Sequence, residues 1–141
     1  MGRPQTTPIG LQLAKTARTV SQAFERRMAE AGGSAAAWQV LLLIRSGQWD
    51  TQSGLAKAMG VTGATMTHHL NALESQGLVR RWRDQSNRRV QQVELTEAGM
   101  ALFDRLRHVA MRHDARLRSA LGEREAAQLA KLLAKLEDTA L

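Results

Sequence analysis

The sequence of 141 residues contains no cysteine, no tyrosine and only 2 prolines. The lack of cysteine excludes disulfides, thiolate zinc sites, cysteine nucleophiles and thiol-based redox sensing. Both prolines, Pro4 and Pro8, lie near the start of the chain, so proline bars no later segment from forming a helix. The longest apolar run, residues 40–44, is far shorter than the roughly 20 residues that a helix needs to cross a membrane.

The rest of the composition is that of a basic globular protein. Hydrophobic residues make up 43% of the chain and charged residues 23%, which supports a folded domain with its own core. Lys and Arg number 20 against 13 for Asp and Glu, and this net charge of +7 favours a polyanionic partner, nucleic acid first. Residues 1–10 lack the apolar centre of a signal peptide, so we expect a cytoplasmic protein with no membrane partner.

Residues able to perform chemistry are not grouped in this sequence. It contains no Ser–His–acid arrangement, no glycine-rich phosphate loop and no pair of carboxylates at a useful spacing. The neighbours His68 and His69 point in different directions on a helix, and His108 and His113 lack the spacing of three or four that shares a helix face. We therefore predict no enzyme, no cofactor and no metal site. His113 falls on an apolar stripe and is expected to be a hydrogen-bonded interface residue, or to line a ligand pocket.

Apolar spacing predicts a mainly α fold with one small β-hairpin. The predicted helices cover residues 9–31, 35–46, 52–59, 63–76, 97–121 and 123 onwards, and the predicted strands cover 78–83 and 90–95. A Ser or Thr suited to an N-cap precedes four of these helices: Ser34, Thr51, Thr62 and Thr96. The helix over 35–46 is apolar on most sides, so we expect it at the domain centre. Trp38 and Trp82 are expected to be packing residues.

The middle of the chain reads as a winged helix-turn-helix. A short helix, a turn over residues 60–62, a capped second helix and a hairpin follow one another in the order of that motif. The outward residues of the second helix are small or hydrogen-bonding, as close approach to base edges requires: Gly63, Ala64, Thr65, Thr67, His68 and Asn71. In isolation the pattern favours a plain amphipathic helix with a polar face. Its place between the turn and a basic hairpin favours a recognition helix.

The hairpin, or wing, carries the densest cationic cluster of the chain. Its arginines are Arg80, Arg81, Arg83, Arg88 and Arg89, against one acid, Asp84. A solvated, charged strand edge is the alternative, but arginine in particular suits bidentate recognition of phosphate and guanine. Arg88 or Arg89 is the better candidate for entering a groove, whereas Arg80 or Arg81 could lie over the sheet. The predicted DNA-binding residues are Thr62, Thr65, Thr67, His68, Asn71, Arg81, Arg83, Arg88 and Arg89.

Four segments resemble MarR-type transcriptional regulators: LAKAMGVT (residues 55–62), LNALESQGLV (70–79), DQSNRR (84–89) and ELTEAG (94–99). The resemblance implies a winged DNA-binding lobe, residues 35–96, and a helical dimerisation region from both chain ends, residues 9–34 and 97–141. Residues 1–8 are then a flexible tail, in which Gly2-Arg3-Pro4 resembles a minor-groove hook. Gln85 and Asn87 stand where this family usually has a proline and an acid, which predicts a more cationic, less rigid wing. His68 stands where the family often has arginine.

The terminal helices carry apolar stripes that one small lobe cannot cover. They either fold onto each other within one chain or pair with a second copy, and we expect a homodimer on a pseudo-palindromic operator in double-stranded DNA. The resemblance implies a repressor released by a small, aromatic ligand bound between the two regions. Basic residues that could line such a pocket are Arg18, Arg26, Arg27 and Arg45, although the sequence favours a solvated surface position for each of them. The alternatives are a winged-helix regulator, or a protein-interaction module, without a small-molecule effector.

Overall fold

A computed structural model of the protein describes residues 6–140, and the predicted fold class is confirmed. The elements are α1 (Ile9–Glu30), α2 (Ala35–Arg45), α3 (Gln52–Met59), α4 (Gly63–Ser75), β1 (Val79–Arg83), β2 (Gln91–Leu95), α5 (Glu97–Leu121) and α6 (Glu123–Ala140). Both strands begin one residue later than predicted. The segment that resembles a minor-groove hook lies outside the described residues. Within 6–140, no helix combines the length and apolarity needed to span a bilayer.

The predicted N-caps set the starts of four helices. The side-chain oxygens of Ser34, Thr51, Thr62 and Thr96 each accept a hydrogen bond from the backbone N–H three residues on, at 3.0–3.1 Å. The start of α2 has a second cap from another helix, because the Glu25 carboxylate of α1 accepts from the Ala35 N–H at 3.1 and 3.2 Å. An acid at a helix N-terminus also complements the helix dipole. The α1–α2 junction is thus held by a charged contact as well as by the chain.

As predicted, α2 lies at the centre of the domain. It packs against α1, α3, α4, α5 and β2. Its Val40 and Leu41 are fully buried. The largest fully buried side chains of the described residues are Met28, Val40, Leu41, Leu55, Met66, Leu70, Val79 and Leu106. Trp38, on the same helix, stacks on Phe103 with ring centroids 5.3 Å apart. Apolar burial of this kind is the main source of stability for a domain of this size.

The two-stranded hairpin is antiparallel and joined to the helices at its base. Val79 pairs with Leu95, and Arg81 pairs with Val93. The Val93 N–H also donates to the Asp50 carbonyl at 2.9 Å, so the segment before α3 extends the sheet. The prediction that Trp82 is a packing residue is wrong, because it is 44% exposed. Side chains alternate along a strand, and this register puts Trp82 on the outer face of the hairpin, opposite Val79 and Arg81.

Large apolar side chains of the terminal helices stay exposed. They include Ile9 and Leu11 of α1, Leu117 and Leu121 of α5, and Leu129, Leu132, Leu133 and Leu136 of α6. In the described part of α6, Ala126 alone is buried, and the main contacts of the helix are with α5. The alternative in which these stripes cover one another within a single chain is therefore not what the fold adopts.

His113 is buried on α5, and no described residue hydrogen-bonds to it. Its ring lies against Phe24 of α1, with centroids 5.1 Å apart, and neither ring nitrogen has a partner among residues 6–140. The described part of a single chain therefore does not supply the hydrogen bond expected of it, and a partner in a second copy, or a place in a ligand pocket, stays a prediction. Burial lowers the pKa of His113 below its ordinary 6.5, and the charges of Arg27 and Arg116 lower it further.

Replacement of His113 by Leu should make stability less sensitive to acid. A lowered folded-state pKa means that the unfolded chain takes up the proton first, so the contribution of the neutral ring is complete above pH 6.5 and is lost as the pH falls below it. Denaturant unfolding from about pH 7.5 to about pH 5.5 should show His113→Leu gaining on the wild type as the pH falls. Because His113→Leu also removes a buried polar ring without a described partner, its free energy of unfolding should be higher by on the order of 1 kcal/mol across this pH range.

His108→Leu is the matched control for this measurement, because His108 lies exposed on the same helix. It should follow the wild-type curve. Parallel curves for the wild type and His113→Leu would contradict the assignment of the acid sensitivity to His113.

Candidate nucleic-acid interface

The wing loop between β1 and β2 is closed by local hydrogen bonds. One carboxylate oxygen of Asp84 accepts from the Ser86 backbone N–H and from its hydroxyl, both at 2.8 Å, and the Asp84 N–H donates to the Val90 carbonyl at 2.9 Å. The two bonds from Ser86 lower the pKa of Asp84, the bond from the hydroxyl most. The Asn87 side-chain oxygen accepts from the Arg89 N–H at 3.2 Å. At Gln85 and Asn87, where the resemblance predicts a proline and an acid, the loop is instead held by the Asx turn of Asp84 and by the bond between Asn87 and Arg89.

Arg83, Arg88 and Arg89 come together at the tip of this loop; we call them the tip arginines. The Arg83 guanidinium donates to the Arg88 carbonyl at 2.9 Å, and all three side chains are exposed. None of them forms an ion pair within residues 6–140. Arg80, by contrast, pairs with Glu94 at 2.8 Å on the outer face of the hairpin. The tip therefore presents three exposed arginines, none of which is ion-paired with a described residue.

The structure separates Arg81 from the tip arginines. Its side chain is only 13% exposed and forms an ion pair with Glu74 of α4 at 3.0 Å. The hydrogen bond from Arg81 holds the pKa of Glu74 below its ordinary value. The register places Arg81 on the inner face of β1 with Val79, over the end of α4. A sequence cannot distinguish Arg81 from Arg80 until that register is known.

The predicted recognition residues of α4 differ in their exposure and in their hydrogen bonds. Thr65 and His68 are exposed, and Thr62 uses its hydroxyl to cap the helix. Thr67 is half-buried; its hydroxyl accepts from the Gln52 amide at 2.6 Å and donates to the Gly63 carbonyl at 3.0 Å. The Asn71 side-chain oxygen accepts from the Arg81 guanidinium. The Thr65 hydroxyl accepts from the Thr62 hydroxyl at 3.1 Å. Thr65 and His68, with the small Gly63 and Ala64, thus form the exposed part of this group, together with the Asn71 NH₂.

A cleft of about 770 Å³ between α3 and the wing adds residues that sequence reasoning missed. Its lining includes Gln52, Ser53 and Lys57 of α3, Gly63 at the start of α4, and Arg89 of the wing. Lys57 is exposed and supplies a second cation opposite Arg89. The available signal was the position of Lys57 one turn before the corner of the helix-turn-helix motif, whose first helix crosses the DNA backbone in proteins that use it.

A second, cationic cleft lies between α1 and α5. It has a volume of about 270 Å³ and is lined by Arg27, Arg112 and Arg116 against one acid, Glu30. The Arg27 Nε is buried and has no hydrogen-bond partner among the described residues. The buried His113 lies close enough to Arg27 and Arg116 for both charges to lower its pKa. An anion in this cleft would meet several guanidinium donors at once.

The structure brings one of the four predicted pocket arginines to that cleft. Arg27 lines it, Arg45 lines a different cleft beside Trp49 and Trp82, and neither Arg18 nor Arg26 is among its lining residues. Arg112 and Arg116 were missed, because nothing in the sequence says which face of α5 meets α1.

Comparison with known proteins gives one family and one fold. The model of the MarR family matches residues 34–90. The chain is similar to CouR, a transcriptional repressor solved with a 23-mer DNA duplex, at 30% identity over 92% of each chain and a TM-score of 0.85. It is similar to a mutant MarR from E. coli solved with operator DNA, at 25% identity over 92% of this chain and 93% of that one, TM-score 0.83. It shares the fold of S. aureus MepR in a DNA complex, at 22% identity over 95% of this chain and 99% of that one, TM-score 0.88.

Proposed function

Because the chain belongs to the MarR family, whose members are DNA-binding transcription regulators and not enzymes, we propose that it is a homodimeric repressor of a pseudo-palindromic operator. The observation that carries this proposal is that the tip arginines are exposed without an ion-pair partner within residues 6–140, on the hairpin that follows a helix with exposed Thr65 and His68. The description of CouR as a repressor bound to a DNA duplex supports it.

In the proposed complex, α4 enters the major groove and the wing follows the neighbouring backbone. Hydroxyl and imidazole groups at Thr65 and His68 suit base edges, and Gly63 and Ala64 allow the helix to approach closely. The tip arginines and Lys57 suit phosphates, which position the protein without reading sequence. A regulator of this kind works where the chromosome lies, in agreement with the cytoplasmic protein expected from the sequence.

The homodimer is proposed to form through the apolar stripes of the terminal helices. Exposed leucines on α5 and α6, such as Leu121, Leu132 and Leu136, favour burial against a second copy. A two-fold axis would present two α4 helices to half-sites about 34 Å apart, one turn of the duplex. The operator is then expected to be pseudo-palindromic.

Release of the repressor is proposed to follow binding of a small aromatic anion. The cationic cleft between α1 and α5 supports this part of the proposal, since α1 lies in the dimerisation region and α5 joins that region to the wing. A ligand there shifts the balance between lobe arrangements only if it binds one of them better, typically by about 1–3 kcal/mol.

Selection of bound duplexes from a random-sequence library tests this function directly. We expect the protein to enrich a two-fold symmetric sequence, to bind it as two chains per duplex in sedimentation, and to leave it when salicylate is added as a probe anion. Selection of fragments from the source genome would then place the operator beside its genes.

Each part of the proposal has its own contrary outcome. A folded monomer at micromolar concentration contradicts the homodimer, and enrichment of no sequence favours a protein-interaction module. A selected duplex that stays bound at high concentrations of salicylate and other aromatic acids favours a regulator without such an effector.

A further inference from the structure

Arg81 lies where three elements of the winged lobe meet. Its guanidinium, on β1, bonds Glu74 of α4 twice, with Nη2–Oε1 at 3.0 Å and Nε–Oε2 at 3.4 Å. The same group donates to the Asn71 side-chain oxygen and, at 3.5 Å, to the Gln52 side-chain oxygen of α3. A planar fork of donors with several acceptors in fixed directions is a geometric constraint that a lysine could not reproduce.

Gln52 carries the connection on to the start of the recognition helix. Its amide nitrogen donates to Thr67 at 2.6 Å, and Thr67 donates to the Gly63 carbonyl at 3.0 Å. A continuous polar chain therefore runs from β1 through α3 to the first turn of α4. We call these residues, with Asn71 and Glu74, the Arg81 network.

A role for Arg81 as one more phosphate contact fits this geometry poorly. Its side chain is mostly buried, and its charge faces the Glu74 carboxylate. Such a pair brings almost no net charge to a duplex, whereas the tip arginines lack any such partner within residues 6–140. Arg81 acts on the interface through the residues that it holds.

Asn71 is the held residue with the clearest consequence for base reading. Arginine has donors only, so the atom of Asn71 that faces it is the oxygen, and the amide NH₂ is left on the exposed side. Paired reading of adenine by asparagine uses both the oxygen and the NH₂. With its oxygen occupied, Asn71 is primarily a donor, suited to an acceptor such as guanine O6 or N7.

We propose that Arg81 is a positioning residue that fixes the wing against α4 and makes Asn71 a donor toward the major groove. The inference rests on the proposed function, since it assumes that α4 reads DNA. It assigns to Arg81 and Glu74 a share in sequence preference, although neither touches a base in this arrangement.

Three variants and a matched control test this role. Arg81→Lys keeps the charge and loses the fork, Glu74→Gln loses the ion pair but keeps the shape, and Asn71→Ala marks the base position that Asn71 reads. Arg80→Ala is the control, because Arg80 is the neighbouring wing arginine on the outer face. Each protein is titrated with the duplex that the wild type selects and with random-sequence duplex, over a series of salt concentrations.

For Arg81→Lys and Glu74→Gln we expect the ratio of selected-duplex to random-duplex affinity to fall about tenfold, with the salt slope unchanged. Renewed selection with Arg81→Lys should relax the preference at the position marked by Asn71→Ala and admit adenine there. Arg80→Ala should leave the ratio and the selected sequence unchanged. Thermal unfolding, measured in parallel, separates these effects from lost stability, which lowers both affinities alike.

The outcomes distinguish this inference from the function on which it rests. A wild type that selects no sequence removes the proposed function. If the wild type does select a sequence, two results would overturn the positioning role alone. One is that Arg81→Lys keeps the ratio of selected-duplex to random-duplex affinity and the selected sequence. The other is that Glu74→Gln tightens binding to both duplexes, as a released phosphate contact would. Wild-type selection of adenine at the Asn71 position overturns the donor assignment.

Discussion

Replacement of Arg88 and Arg89 by Ala should weaken DNA binding about 10- to 100-fold near physiological salt, whatever the sequence of the duplex. Both side chains are exposed at the wing tip and neither has an ion-pair partner among the residues that the structure describes. Each phosphate that an arginine neutralises contributes about 0.9 to the slope of log affinity against log salt. Loss of two such contacts should lower the magnitude of that slope by about 2. Titrations at several salt concentrations measure the slope.

A double variant of equal charge separates this effect from a general loss of attraction. Arg80→Ala with Arg118→Ala removes two positive charges that already have acidic partners, Glu94 and Asp114. It should change the slope much less than the tip variant does. Equal slopes for the wild type and the tip variant would show that the tip arginines do not contact the DNA backbone.

Gly99→Ala should destabilise the protein by about 3 kcal/mol or more, a large fraction of the 5–15 kcal/mol typical of a domain. A Cβ at position 99 would lie 2.0 Å from the Leu78 carbonyl oxygen and 3.0 Å from its carbon. That carbonyl cannot yield, because it accepts the Thr96 N–H at 3.1 Å where β2 turns into α5. Urea unfolding followed by circular dichroism gives the free energy of unfolding.

The control for Gly99→Ala is Gly10→Ala in α1, where an added Cβ meets nothing within 4 Å. Alanine is the better helix former, so this variant should gain up to about 1 kcal/mol. If Gly99→Ala were also neutral or stabilising, α5 would not dock on Leu78 as closely as the structure indicates.

The helices and hairpin could be predicted because their signals are local. An N-cap acts over three residues, so Thr62 and Thr96 mark helix starts wherever the rest of the chain lies. Gly60 and Gly77, with φ of 72° and 73°, end α3 and α4 in a conformation that other residues rarely adopt. The apolar character of Val40 and Leu41 likewise predicts a central helix without any knowledge of its partners.

Which polar side chains stay exposed, and which bond to other residues of the fold, could not be predicted, because this depends on register and on contacts between residues far apart in sequence. Arg80 and Arg81 are neighbouring residues of the same type, and only the hairpin register shows that they lie on opposite faces. The sequence predicts that Thr67 contacts bases, whereas in the structure its hydroxyl accepts a hydrogen bond from Gln52, fifteen positions earlier. His113 lies on an apolar stripe, yet nothing in the sequence says that the ring it meets is Phe24.

The single unbroken helix α5 has a mechanical consequence. It starts at Glu97, beside the base of the wing, and passes Arg112 at the cationic cleft. At about 1.5 Å per residue, these two points are separated by about 22 Å of rigid rod. A tilt of about 5° at the cleft therefore displaces the wing end by about 2 Å, a large error for a hydrogen bond to a base. In the mechanism that we propose, such a lever would turn a small adjustment around a bound anion into a loss of fit on DNA.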